Sequence, residues 1–229
     1  VRQESGTLRI GALATHAQLE HSELLKTYSP LLPQTAKTIG DVQVRNRGTL
    51  GGSLAHADPA ADYPATVLAL DVEIVAASTS GTRTIPVTEF FVDMLTTALR
   101  PGEILSQVRV STLAPHTGTA YEKLHQPASG FAIVGAAARV MLAKSGTIAD
   151  VAVGITGLGP KAVRASGVEK ALRGKKASDK LFAEAARQAG QGVDPLSDLH
   201  ASADYRLEMA AVYTRRALER AFARAQGKA

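Results

Sequence analysis

Thr49-Leu50-Gly51-Gly52-Ser53-Leu54-Ala55-His56-Ala57-Asp58-Pro59-Ala60-Ala61-Asp62-Tyr63-Pro64 combines adjacent glycines, small side chains and two aspartates, and runs straight into the apolar segment Ala65 to Leu70. Adjacent glycines let backbone approach a ligand closely and permit positive φ, so their amides can converge on an anion such as a pyrophosphate. Thr49 and Ser53 add hydroxyl donors on either side. Farther along, Asp62 offers a carboxylate that can accept hydrogen bonds from sugar or ribityl hydroxyls. The stretch reads as a loop shaped around a ligand. Taken alone, a tight glycine turn with a solvated aspartate is the plainer reading, so the surrounding sequence has to decide.

Upstream, Thr15 and Gln18 have the spacing of a helix capping box, with Leu19, Leu24 and Leu25 as an apolar stripe. They predict a helix of about 12 residues ending near Ser29-Pro30. A second helix from Leu31 to Ile39 meets Gly40 as its C-cap, and the polar stretch Asp41 to Gly48 leads into the glycines. Gly6-Thr7-Leu8-Arg9-Ile10 alternates like a strand already in progress, and with Val1 in place of a methionine the chain is expected to lack its beginning. Downstream, Asp71 to Ala77 and Arg83 to Val87 read as strands around a turn at Ser78 to Thr82. Thr88 to Leu95 reads as a short helix anchored by Phe90 and Phe91. Pro101-Gly102 turns into a strand from Ile104 to Val110.

The texture changes after Leu113-Ala114-Pro115-His116-Thr117-Gly118, which places a domain boundary near residue 117 and divides the chain into 1–117 and 118–229. Longer strands follow at Tyr121 to His125, Phe131 to Ala143 and Thr147 to Ile155, the last two joined at Ser145-Gly146. Helices are expected at Ala165 to Arg173, Ser178 to Gln191 and Ala203 to Ala225, the last with Leu207, Ala210, Ala211, Tyr213, Ala217, Leu218 and Phe222 on its apolar side. Strands followed by helices make an α+β class.

A rival motif, Gly157-Leu158-Gly159-Pro160-Lys161-Ala162, has the GxGxxA spacing of a dinucleotide-binding turn after a strand. The strand before it pairs by a tight turn and is therefore antiparallel, Pro160 removes an amide, and no acidic strand end follows. A strand-to-helix turn is the better reading. Lys123 reads by default as a surface lysine on a half-exposed strand, and functionally as a cation for a cofactor carbonyl. His56 reads as a polar loop residue before it reads as a proton shuttle. No spacing argues for a catalytic nucleophile or a paired-carboxylate site.

Composition narrows the classes. The 229 residues, 45% hydrophobic, can fill one large or two modest cores. Zero cysteines exclude disulfides and thiolate clusters, and the six histidines lack ligand spacing, so no metal site is expected in the chain. The net charge of +5 is spread out and aromatics are only 4%, which argues against nucleic acid. No apolar run reaches the roughly 18 residues of a membrane span and no signal peptide opens the chain, so a cytoplasmic location is expected.

The stretch from Thr49 to Ala65 resembles the second flavin-binding motif of the xanthine dehydrogenase and carbon monoxide dehydrogenase flavoproteins. Leu8 to Ala17, Val42 with Arg45 to Gly48, Pro101 to Leu105, Tyr121 to Leu124 and Ala201 to Arg206 are similar to further segments of that family, in the same order. The resemblance implies a two-part FAD-binding domain of the vanillyl-alcohol-oxidase-like type followed by a C-terminal domain of sheet plus helices. It implies that Thr49, Leu50, Gly51, Gly52 and Ser53 line the FAD pyrophosphate and that Asp62 holds ribityl or nearby hydroxyls. Leu105 would pack near the isoalloxazine, and Lys123 would approach its pyrimidine side.

The role implied is electron transfer with no catalytic residue of the chain's own. A large molybdenum-cofactor subunit oxidises the substrate, a small subunit with iron–sulfur clusters conducts electrons, and FAD passes them to a quinone, NAD or oxygen, in a dimer of heterotrimers. Two features depart from the family pattern. Its first glycine-rich flavin loop has no counterpart here, and His125 to Phe131 lacks the arginine that often follows the lysine. A flavin-free interaction or scaffold module with the same fold is the alternative.

Overall fold

The computed structural model describes residues 1–228. Two strands, β1 (Arg2–Glu4) and β2 (Thr7–Gly11), are followed by six short helices: α1 (His16–His21), α2 (Glu23–Tyr28), α3 (Leu31–Lys37), α4 (Val42–Arg47), α5 (Leu50–His56) and α6 (Asp62–Ala69). Next come β3 (Glu73–Ser78), β4 (Gly81–Pro86), α7 (Val87–Phe90), β5 (Phe91–Asp93), β6 (Thr96–Thr97) and β7 (Ile104–Ser111). The rest comprises β8 (Thr117–His125), β9 (Ala132–Leu142), β10 (Ile148–Thr156), β11 (Val163–Arg164), α8 (Ser166–Leu172), α9 (Asp179–Ala186) and α10 (Ala203–Ala225).

Two antiparallel sheets organise these elements, one ordered β1-β2-β7-β3-β4 and one ordered β11-β10-β9-β8. The class is α+β, as the strand and helix pattern predicts. Alternation sets which face of the first sheet is buried: Leu8 and Ile10 of β2, Ile74 of β3, and Val108 and Val110 of β7 all point into one core. In the second sheet β9 and β10 bury most of their side chains, because α6 covers one face and α10 the other. No helix among the described residues is long and apolar enough to cross a membrane.

Several local expectations give way to capping chemistry. The predicted helix after Thr15 has its capping box but breaks at Ser22, whose side chain accepts from Leu25 N and starts α2. The polar stretch before the glycines is helical, because Asp41 caps α4 through Val44 N at 2.8 Å. The segment from Thr88 is helical only to Phe90, and Phe91 starts a small hairpin with β6. On α10, Leu207 stays exposed, while Ala210, Thr214, Ala217, Leu218 and Ala221 form the buried stripe. Small residues there let the helix lie close on β8 and β9.

One glycine and one ion cluster join α6 to the second sheet, and another glycine seats α10 on that sheet. A side chain at Gly154 of β10 would overlap Ala65 O of α6, and one at Gly118 of β8 would overlap Ala221 O of α10. Only glycine allows either approach. Asp71, at φ 51° after α6, receives Arg139 of β9 at 2.7 Å and also pairs with Arg164 of β11. Arg139 reaches Ala69 O at 3.0 Å as well, so the end of α6 is tied to the second sheet.

Within the first sheet, the Pro101-Gly102 turn presents Glu103 to Arg83. The guanidinium donates from Nε at 2.7 Å and Nη2 at 2.8 Å, and Arg100 N adds a bond at 2.7 Å. These donors lower the Glu103 pKa from 4.5 to about 2. Because the folded value lies below the unfolded one, the pair stabilises the fold above pH 4.5 and ceases to do so as pH falls through about 2. Glu103→Gln is therefore expected to lower the melting temperature at pH 7 but not near pH 2. Equal losses at both pH values, read by calorimetry, would contradict this pairing.

Candidate functional site

The glycine stretch is a helix, not a loop. Thr49 caps α5, its Oγ1 accepting from Gly52 N at 3.0 Å. The amides expected to converge on an anion are all committed within the chain: Leu50 N donates to Ala14 O at 2.9 Å, Gly51 N to Ala12 O at 2.8 Å and Ser53 N to Thr49 O at 3.0 Å. The two glycines have separate tasks. A Cβ on buried Gly51 would come 2.5 Å from Ala12 Cβ and 2.8 Å from Ala12 O, so this glycine lets α5 rest against the end of β2. A Cβ on exposed Gly52 would meet only Thr49 Oγ1, so its bare Cα faces open space.

That space is a cavity of about 460 Å³. Its walls are His16 of α1, Ile39-Gly40 after α3, Gly48 and Thr49 with Gly52 and Ser53 of α5, Asp58 and Asp62, and Ser129-Gly130-Phe131 before β9. What the site offers a ligand is therefore side-chain hydroxyls and exposed glycine backbone.

Asp62 opens α6 with its carboxylate buried. Tyr121 OH donates to it at 2.5 Å and Lys123 Nζ lies 2.9 Å away. Burial raises the Asp62 pKa, and the charge of Lys123 and the bond from Tyr121 only partly resist. Burial, together with the neighbouring carboxylate, pushes the Tyr121 phenol well above its usual value.

Lys123 is not a surface lysine. Only 8% of its side chain is exposed. Besides Asp62, its ammonium donates to Thr38 O at 2.8 Å and Gly130 O at 2.7 Å. An ammonium has three hydrogens, so none remains for a cofactor carbonyl. Lys123 instead clamps three walls of the cavity from behind.

Of the residues the sequence singles out, Thr49, Gly52, Ser53 and Asp62 line one cavity. Leu50 and Gly51 lie buried beneath it. Leu105, 7% exposed, points into the core of the first sheet and does not reach the cavity wall. His56 lines the cavity with its ring exposed, 3.9 Å from Asp58. The rival turn is excluded as a nucleotide site: β10 is antiparallel to β9, Gly157 N donates to Pro59 O at 2.7 Å, and a side chain there would overlap Ile133 O.

Sequence reasoning missed His16, Ile39, Gly40, Gly48, Gly130 and Phe131. The glycines carried a signal in their proximity to turns, and His16 stood in the family-like segment Leu8 to Ala17 without a site role being assigned to it.

The sequence profile described as "FAD binding domain in molybdopterin dehydrogenase" matches residues 1–112, and that of the "CO dehydrogenase flavoprotein C-terminal domain" matches residues 119–221. The carbon monoxide dehydrogenase medium chain of Hydrogenophaga pseudoflava is 37% identical over 98% of this chain and 78% of its own length. The chain belongs to the flavoprotein-subunit family of the molybdenum hydroxylases.

Other members include the 6-hydroxypseudooxynicotine dehydrogenase complex subunit alpha of Paenarthrobacter nicotinovorans, 37% identical over 99% of this chain and 76% of that one. A crystal structure of carbon monoxide dehydrogenase from Hydrogenophaga pseudoflava superposes with a TM-score of 0.94 at 38% identity, covering 97% of this chain and 77% of that one. Like these relatives, the flavoprotein subunit is part of an oxidoreductase.

Two substitutions separate support from contact in this flavoprotein site. Gly51→Ala is expected to destabilise by about 1–3 kcal/mol through overpacking against Ala12. Urea denaturation measures it, and wild-type stability would contradict the close approach. Lys123→Met leaves the buried Asp62 without its cation and is expected to cost about 3 kcal/mol. It should also speed amide exchange at Thr38 to Gly40 and at Ser129 to Phe131. Unchanged exchange there would mean that the clamp does not shape the cavity.

Proposed function

We propose that this chain is the FAD-carrying, electron-transferring subunit of a molybdenum hydroxylase, divided into two domains near residue 117. The observation that carries the proposal is the single cavity in which Thr49, Gly52, Ser53 and Asp62 meet. The residues fit the group. Thr49 and Ser53 supply hydroxyls for a diphosphate, the bare Cα of Gly52 lets it come close, and Asp62 can accept from polyol hydroxyls. Lys123 and Tyr121 hold the Asp62 carboxylate in place, and Leu105 supports the sheet beneath α5.

When bound, FAD supplies two-electron redox chemistry that can also proceed one electron at a time. The protein's share is to bind the cofactor, orient it and exclude water from its inner edge. A second cavity of about 450 Å³ shares Asp58, Ser129 and Phe131 with the first. Met94, Ile133 and Arg206 also line it, and it gives an external acceptor a route to the same site.

The partners proposed are a large molybdenum-cofactor subunit and a small iron–sulfur subunit, assembled as a dimer of heterotrimers. Support comes from the family, and from a composition with zero cysteines that leaves this chain no thiolate for a cluster. The substrate would be chosen by the molybdenum subunit.

An FAD titration followed by flavin fluorescence tests the proposal. One FAD per chain is expected to bind, and Gly52→Val should weaken binding at least about 100-fold while costing only the Thr49 cap, about 1 kcal/mol of stability. Full flavin occupancy in a folded Gly52→Val protein would overturn the site. No binding by the wild-type chain would favour the flavin-free module.

A further inference from the structure

His16 lies outside the Thr49 to Ala65 motif, in the segment Leu8 to Ala17, and it stands on the cavity wall. As the first residue of α1 it donates its backbone N–H to Gly48 O at 3.0 Å, which fixes the imidazole beside the start of α5. The residue is 5% exposed, and its ring packs on Tyr63, with centroids 5.2 Å apart.

The two ring nitrogens face different surroundings. Nδ1 is sealed in the protein with no hydrogen-bond partner among the described residues. Nε2 lies on the side of Gly48, where a Cβ would come within 2.5 Å of it, so only the absence of a side chain at residue 48 leaves that edge open. The charged and titratable groups around the ring are Arg45 of α4, paired with Glu20 at 2.9 Å, and Tyr63 of α6. Burial first, and then the charge of Arg45, lowers the His16 pKa and favours the neutral ring.

A neutral imidazole carries one N–H. On Nδ1 that hydrogen would be a buried donor without an acceptor, a placement proteins avoid. It therefore belongs on Nε2, at the edge of the cavity that Thr49 and Ser53 also line. Arg47 also lines the cavity, as do Asp58 and Asp62 from the segment after α5. His16, Arg47, Thr49 and Ser53 give the cavity a set of donors that suits an oxyanion.

We propose that His16 is a further ligand-binding residue, whose Nε2–H donates to a phosphate oxygen of a diphosphate-bearing ligand seated against Thr49, Gly52 and Ser53. The proposal rests on the FAD reading and assigns the phosphate recognition that the committed amides of α5 cannot provide.

The experiment compares wild type, His16→Phe and His16→Gln, each confirmed as folded by thermal melting, in titrations with FAD and with riboflavin, which has no phosphate. His16→Phe keeps the stack on Tyr63 and is expected to weaken FAD about tenfold or more, as the loss of one hydrogen bond to a charged group does. Riboflavin affinity should not change. Gln, whose amide nitrogen overlays Nε2, should restore most of the FAD affinity. Nitrogen-15 NMR of the ligand-free wild type should show the Nε2–H tautomer, and the His16 pKa should rise on FAD binding.

An Nδ1–H tautomer, or FAD affinity unaltered in His16→Phe, would overturn the role of His16 and leave the FAD reading standing. Equal losses of FAD and riboflavin would reduce His16 to packing. Failure of the wild type to bind FAD would remove the FAD reading and this proposal together.

Discussion

The shape of the site depends on one buried ammonium. Lys123 donates at once to Asp62, Thr38 O and Gly130 O, which come from α6, the turn after α3 and the loop before β9. Removing a cation from water is costly, and it is sustained here because every hydrogen has an acceptor and one of the acceptors is a carboxylate. Three walls that arrive from distant parts of the chain thereby have fixed relative positions. The resemblance casts this lysine as a cofactor contact, and the structure gives its three hydrogens protein acceptors.

Packing then brings those walls together in the first place. Gly154 and Gly118 let α6 and α10 lie directly on opposite faces of the second sheet, and Asp71 ties the end of α6 to two arginines of that sheet. Since α6 also belongs to the core of the first half, the halves meet through a shared helix and not through a flexible link. The cavity draws its residues from both halves. The short helix α5 lines it, with amides spent on the turn after β2 and on its own cap, so recognition falls to side chains.

Much of the fold was legible in the residues. The capping box at Thr15, the alternation in β2 and β7, the β9–β10 hairpin and the spacing along α10 are local signals, and each produced its element. Ser22, Asp41 and Thr49 show where reading failed: a single side-chain oxygen able to bond a nearby amide decided whether a segment was loop or helix. Adjacent glycines suggested a ligand-shaped loop because positive φ is their best-known use, but here one glycine serves helix packing and its neighbour an open wall.

By itself the sequence determined the α+β class, the order of the elements and the membership of Thr49, Gly52, Ser53 and Asp62 in one motif, since all of these follow from local pattern. Only the tertiary structure decided which of the motif's groups remain free. Whether an amide, an ammonium or an imidazole is available to a ligand depends on acceptors far away in the chain: Ala12 O for Gly51, Thr38 O and Gly130 O for Lys123, and a sealed space for His16 Nδ1. Hydrogen-bond capacity is finite, and its allocation is a property of the folded chain.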